Sequence, residues 1–114
     1  MPLSACVAAI EALGRRAFAL RAPAEDFEAG ERLVARTRET LGPIGILVNN
    51  AGIGRVQKIA DVGLADWDEM IRVNLSSAFY VTRAALPAMR AARWGRIVML
   101  SSIAAHDGGI VGPH

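Results

Sequence analysis

The chain contains a single cysteine and no apolar run long enough to cross a bilayer. Because Cys6 has no partner for an internal disulfide, the sequence favours a reducing compartment, and we expect a cytoplasmic protein. A membrane-spanning helix needs about 20 apolar residues, so no membrane span is predicted. The first residues also do not combine a charged segment with a compact apolar core, which argues against a signal peptide.

No excess of charge of either sign marks the chain. Thirteen basic and 11 acidic residues give a net charge of +2, and Arg15-Arg16 is the only basic doublet. Without a basic stripe interleaved with aromatic residues, we do not expect a nucleic-acid partner. The 53% hydrophobic and 21% charged content is that of a globular protein. At 114 residues the chain corresponds to one domain or part of one.

The most informative stretch is Ile46-Leu47-Val48, followed by two asparagines, Ala51 and Gly52. Continuous aliphatic runs are typical of parallel strands buried on both faces. Ligands bind beyond the carboxyl ends of such strands, and glycine lets a ligand approach the backbone closely. The segment therefore predicts a binding edge of a sheet.

Helices and strands are predicted to alternate along the chain. Asp26 is expected to cap a helix that Gly42-Pro43 ends, and a long helix is expected from about Asp66 to Leu86. Short strands are predicted at residues 17–20, 44–48 and 96–100, and the last of them ends at Ser101-Ser102. This order indicates an α/β fold with parallel strands and right-handed crossovers.

Asn74 is the polar residue that stands out in the long helix. Steps of about 100° per residue place it within about 20° of the centre of the apolar stripe. The members of that stripe are Trp67, Ile71, Ala78, Thr82, Ala85 and Met89. A buried amide needs partners, so Asn74 is expected either to bond a neighbouring loop carbonyl or to lie under an active site. The pattern does not choose between the two.

Several of these motifs together resemble the short-chain dehydrogenase/reductase family. They are Asn-Asn-Ala-Gly at 49–52, Val73-Asn74-Leu75, and Gly95-Arg96-Ile97-Val98 running to Ser101-Ser102. The similarity extends from about Val7 to the end of the chain. It implies that residues 1–114 form a partial NAD(P)-binding, Rossmann-like domain. In that fold the chain would supply strands 3, 4 and 5 of a doubly wound parallel sheet with flanking helices.

The resemblance also implies a function and site residues. The family transfers hydride between the nicotinamide of NAD or NADP and a carbonyl or alcohol substrate. Carried over by position, Asn50, Ala51 and Gly52 would lie along the cofactor. Asn74 would hold a water of the proton relay through its backbone, and Ser102 would hydrogen-bond the reacting oxygen. A neutral hydroxyl suits that role, because it can donate to oxygen as negative charge develops.

Two family motifs do not occur in these residues. There is no G-x-G-x-x-G turn for the pyrophosphate, and no Tyr-x-x-x-Lys acid-base pair. The position expected for that tyrosine falls just after His114. Tyr80 belongs to a predicted helix and Lys58 to the loop after strand 4, so neither can substitute. We therefore expect a fragment of the family fold that is inactive alone.

Three alternatives remain. A non-catalytic interaction fragment could dock on a full-length relative, or form a homo-oligomer, through the 66–86 helix. A hydrolase would use Ser102, His106 and Asp107, but all three lie in one loop without a G-x-S-x-G elbow. A metal could bind His106, Asp107 and His114; a solvated terminal loop is the simpler interpretation, and no metal site is predicted.

Overall fold

The computed structural model describes residues 2–107. Within that range helices and short strands alternate, as expected for an α/β fold. The elements are α1 (Leu3–Glu11), α2 (Phe27–Leu41), β1 (Ile46–Asn49), a 3₁₀ turn (Ile59–Asp61), α3 (Leu64–Ile71), a π-helical segment (Arg72–Ser76), α4 (Ser77–Ala91), β2 (Arg96–Met99) and α5 (Ala104–Asp107). In the described residues none of the helices is long and apolar enough to cross a membrane.

Strands β1 and β2 form a two-stranded parallel sheet. Ile46 lies opposite Arg96, and Asn49 lies opposite Met99. The pairing continues one step past each strand's assigned end, because the Leu100 amide donates to the Asn49 carbonyl at 3.1 Å. Since the strands are parallel, their carboxyl ends meet at one edge of the sheet, as the sequence predicted.

The ends of α2 follow from local chemistry. The Asp26 side chain accepts a hydrogen bond from the Ala29 amide at 3.1 Å, which satisfies one of the free N–H groups of the first turn. At the other end Gly42 adopts a positive φ of 101°, and Pro43 follows. Both predicted ends of the helix are confirmed.

One face of the sheet carries the core. Helices α2 and α4 pack together, and Val34, Ala85 and Met89 are buried between the helices and the sheet. Partly buried neighbours complete this cluster: Ile44, Leu47, Val81, Ala84 and Ile97. Fully burying a side chain such as Val or Met contributes roughly 1.5–3 kcal/mol, so this cluster fixes α4 across the two strands.

The opposite face of the sheet is exposed in the described residues. Ile46, Val48 and Val98 keep 60%, 53% and 45% of their surface accessible. Alternating side chains of a strand point to opposite faces, so the aliphatic run is covered on only one side. The expectation of strands buried on both faces is therefore wrong for this chain as it stands.

Two predicted elements need correction. Residues 17–20 form no strand, because no described strand lies beside them to share backbone hydrogen bonds. The segment is instead held near the end of α2 by Arg16, whose guanidinium donates to the Leu41 carbonyl at 2.8 Å. The 66–86 helix begins earlier, at Leu64, ends later, at Ala91, and is interrupted by the π-helical segment.

The core leaves no space at Gly95. A Cβ there would lie 2.7 Å from Met89 Sδ and 2.8 Å from its Cβ. We expect Gly95→Ala to lower the free energy of unfolding in urea by about 1–3 kcal/mol, because the buried Met89 must shift. Gly54→Ala is the matched control, since no heavy atom lies within 4 Å of the added methyl group. Equal stability of the two variants would contradict this packing.

Candidate active site

A cleft opens at the carboxyl edge of the sheet. Its volume is about 420 Å³, within the range of small-molecule sites. The walls come from both strands and the residues that follow them, from α2 and the segment before it, from the π-helical segment and from the start of α4. Among the residues predicted for the site, Asn50, Ala51 and Asn74 line the cleft. The structure therefore brings three of the five predicted site residues to one cavity.

The two asparagines at the end of β1, Asn49 and Asn50, have different surroundings. The Asn49 side chain turns toward α4, where Nδ2 donates to Thr82 Oγ1 at 3.1 Å. This bond fastens the end of the strand to the helix that crosses it. Asn50 and Ala51 are exposed and line the cleft, so their polar groups remain available to a ligand.

Asn74 is paired with the loop that follows β1. Its Oδ1 accepts from the Ile53 amide at 2.7 Å, and its Nδ2 donates to the Ile53 carbonyl at 2.9 Å. Of the two interpretations that the sequence left open, the bond to a loop carbonyl is observed, and the role in an active site stays a prediction. The expected burial is wrong: Asn74 is exposed.

The π-helical segment explains why Asn74 is exposed. Here the Ser77 amide bonds the Arg72 carbonyl, five residues back, instead of the carbonyl four residues back. The buried Ser77 hydroxyl donates to the Val73 carbonyl at 2.6 Å. Because the turn is wider, a helical projection at constant spacing misplaces Asn74.

Gly52 lies directly against Asn74. A Cβ at Gly52 would stand 3.0 Å from Asn74 Oδ1, tighter than most real contacts. The absence of a side chain therefore allows the loop and the π-helical segment to approach. The neighbour that approaches Gly52 closely is therefore a protein side chain, and the approach of a ligand that the sequence predicted for the Ala-Gly pair stays a prediction.

A sequence model of the family described as short chain dehydrogenase matches residues 1–114. The chain belongs to this family. The likeness extends to solved structures: a candidate short-chain alcohol dehydrogenase from Sinorhizobium meliloti 1021 superposes with a TM-score of 0.90 at 39% identity. A short chain dehydrogenase from Burkholderia cenocepacia J2315, solved in complex with NADP, gives 0.83 at 40% identity.

The chain spans less than half the length of these relatives. It aligns over 96% of its own length to both solved chains but covers only 43% and 44% of theirs. Nodulation protein G of Azospirillum brasilense is 42% identical over 102 residues, which is 90% of this chain and 42% of that protein. The Rossmann-type α/β class expected from the short-chain dehydrogenase resemblance is confirmed by these superpositions.

Ser102, the remaining family position, is not among the residues that line the cleft. It is exposed, and its Oγ accepts from the Ala104 amide at 3.2 Å at the start of α5. This bond lies within one loop and leaves the hydroxyl hydrogen free to donate elsewhere. In the described residues no group of three or more His, Cys, Asp or Glu side chains is placed to hold a metal. His114 lies outside them.

Sequence reasoning missed the charged residues beside this site. Arg55, in the loop after β1, forms ion pairs with Asp66 and Glu69 of α3. The available signal was the spacing of the two acids, three residues apart on one helix face and preceded by an arginine in the loop.

Replacing Asn74 tests the pairing of the loop with the π-helical segment. Asn74→Leu keeps the approximate size of the side chain but removes both the acceptor for the Ile53 amide and the donor to the Ile53 carbonyl. We expect the Ile53 amide to exchange its hydrogen about tenfold faster, as follows from losing two hydrogen bonds of about 1 kcal/mol each. Asn50→Leu is the control, because it makes the same change at an exposed residue of the same cleft. Unchanged exchange in Asn74→Leu would contradict the pairing.

Proposed function

We propose that this chain forms part of the cofactor and catalytic rim of an NAD- or NADP-dependent oxidoreductase. The reaction would transfer hydride between the nicotinamide ring and a carbonyl or alcohol substrate. The observation that carries the proposal is the meeting of Asn50, Ala51 and Asn74 in one cleft at the carboxyl edge of a parallel sheet. Membership of the short-chain dehydrogenase family and a neighbour solved with NADP support it.

The residues at the cleft fit a dinucleotide in two respects. Asn50 offers both donors and an acceptor from an exposed position, which suits ribose hydroxyl groups. Gly52 allows the loop to lie close to Asn74, and the Ile53–Asn74 bonds fix the loop in that position. A preorganised rim reduces the entropy that ligand binding must offset. When bound, the nicotinamide ring would supply or accept the hydride.

Two residues, Ser102 and Asn74, would have catalytic roles. Ser102 would donate its hydroxyl hydrogen to the reacting oxygen, where negative charge develops in the reduction direction. Its backbone-bonded Oγ orients the hydroxyl by accepting from Ala104. Asn74 uses its side chain for Ile53, so its contribution to proton transfer would come from its backbone carbonyl.

We propose that these 114 residues do not turn over substrate by themselves. General acid-base catalysis needs a titratable group within hydrogen-bond reach of the reacting oxygen. The only tyrosine, Tyr80, packs edge-on against Phe27 of α2 with ring centroids 5.4 Å apart. The only lysine, Lys58, directly precedes the 3₁₀ turn.

The cytoplasmic location expected from the single cysteine stays a prediction.

The function is tested by titrating NADH and NADPH into the chain and following nicotinamide fluorescence. We expect saturable binding of at least one of them, and no reduction of ketones. Gly52→Val should weaken binding about tenfold or more, because a β-branched side chain would displace Asn74 and move the loop that carries Asn50 and Ala51. Gly54→Val is the matched control, since its Cβ meets nothing within 4 Å. Absence of binding, or equal loss in both variants, would contradict the proposal.

A second candidate role is an interaction surface on the helix after the π-helical segment. Leu75, Phe79 and Leu86 keep 64%, 62% and 38% of their surface accessible. Spaced at four and seven residues, they form one exposed apolar stripe along α4 and the segment before it. This stripe favours pairing of the helix with a second copy of the chain or with a full-length relative.

The stripe is tested by sedimentation velocity over a concentration series. Phe79→Ser should shift the chain toward monomer, because the stripe loses its largest apolar side chain. Each methylene-sized part of a contact contributes about 0.8 kcal/mol, so the dissociation constant should rise at least about tenfold. Ile59→Ser, which removes an exposed apolar side chain elsewhere, should leave association unchanged. Identical behaviour of both variants and the parent would exclude this surface.

A further inference from the structure

The loop between β1 and the 3₁₀ turn, residues 50–58, holds the cofactor-facing rim yet has no regular secondary structure. Most of its side chains are exposed, so apolar packing does little to fix it. Two sets of polar contacts attach it to the helices. The first is the Ile53–Asn74 pair already described, and the second is made by Arg55.

Arg55 connects the loop to α3 through two carboxylates. Its Nη1 donates to Asp66 Oδ1 at 2.7 Å, and its Nη2 donates to Glu69 Oε2. The two acids lie three residues apart and so share one face of the helix. The planar guanidinium presents a fixed fork of donors, and charge-assisted bonds of this kind are the stronger class of hydrogen bonds.

Gln57 joins the same cluster. Its Nε2 donates to Asp66 Oδ2 at 3.3 Å, so Asp66 receives bonds from two residues of the loop. Its Oε1 is buried and has no hydrogen-bond partner within residues 2–107. Arg55 thus makes two bonds between charged groups to α3 and Gln57 makes one longer bond, so Arg55 is the stronger of the two attachments.

The Arg55 cluster differs from the other ion pairs of the described structure. Arg32 and Arg36 pair with acids on or just before their own helix, and their side chains are about 60% exposed. Arg55, by contrast, joins two separate elements, and its side chain is 36% exposed. Exposed pairs on one helix contribute little, whereas a less solvated pair between elements restricts their relative position.

We propose that Arg55 is a positioning residue for the cofactor rim. It bridges the loop to α3, and α3 continues through the π-helical segment that presents Asn74. The two anchors together set the placement of Asn50, Ala51 and Gly52 before a ligand arrives. Without Arg55 the loop samples more conformations, and a ligand must order it on binding. This inference rests on the proposed cofactor function of the same rim.

The test uses the 114-residue chain with the variants Arg55→Ala, Arg55→Lys and, as matched control, Arg36→Ala. Arg36 also forms an ion pair, with Glu39 at 2.9 Å, but both of its members belong to α2. Two quantities are measured below the unfolding transition of every variant. One is the dissociation constant for NADPH and NADH, and the other is hydrogen exchange at the amides of Gly52 and Ile53 against those of α2.

For Arg55→Ala we expect the dissociation constant for the dinucleotide to rise about tenfold, because the ligand must then order the loop when it binds. We also expect faster amide hydrogen exchange in the loop and not in α2. Arg55→Lys should recover part of both effects, since it keeps the charge but not the fork of donors. Arg36→Ala should stay within about twofold of the parent, as expected for an exposed pair. Glu69→Gln, which keeps the shape of its side chain, replaces Arg55→Ala if that variant unfolds.

Four results would overturn the inference. They are unchanged affinity and exchange in Arg55→Ala, an equal loss in Arg36→Ala, faster exchange throughout the chain, and no recovery with lysine. If the parent chain binds neither dinucleotide, the proposed function fails, and exchange at Gly52 and Ile53 alone then decides whether Arg55 positions the loop. The failure of one proposal is thus distinguished from the failure of the other.

Discussion

The parallel pairing of β1 with β2 is the constraint on which the candidate site depends. The register places Asn49 beside Met99, so the residues that follow each strand emerge at the same edge. An antiparallel pair would send Asn50 and Ser102 to opposite ends of the sheet. The pairing requires a crossover between the strands, and α3, the π-helical segment and α4 supply it. The same crossover brings Asn74 to the loop after β1.

Much of this arrangement is predictable because the local sequence signals favour the same helices and strands that the folded chain contains. The capping bond of Asp26 and the positive φ of Gly42 define a helix that the sequence already delimits. The aliphatic run after Gly45 and the run after Gly95 become the two strands, each within two residues of its predicted bounds. Short-range signals of this kind operate over a few residues and need no knowledge of distant partners.

Features that depend on partners or on irregular geometry were not predictable. Residues 17–20 have the composition of a strand, but a strand exists only with a neighbour, and the described residues provide none. The exposure of Asn74 depends on a single wide helical turn, which a constant angular step cannot represent. The contacts of Arg55 were not predicted either, because its two acids lie 11 and 14 residues further along the chain.

The wide turn at Arg72–Ser76 also determines how the side chains of α4 are rotated about the helix axis relative to those of α3. An extra residue in a turn offsets everything that follows by about 100° relative to a regular helix. The upstream stretch can therefore aim Asp66 and Glu69 at the loop while the downstream stretch aims Ala85 and Met89 at the strands. Removing one residue from the turn would restore a regular α-helix. Either the contacts of α3 with the loop or those of α4 with the strands would then be lost.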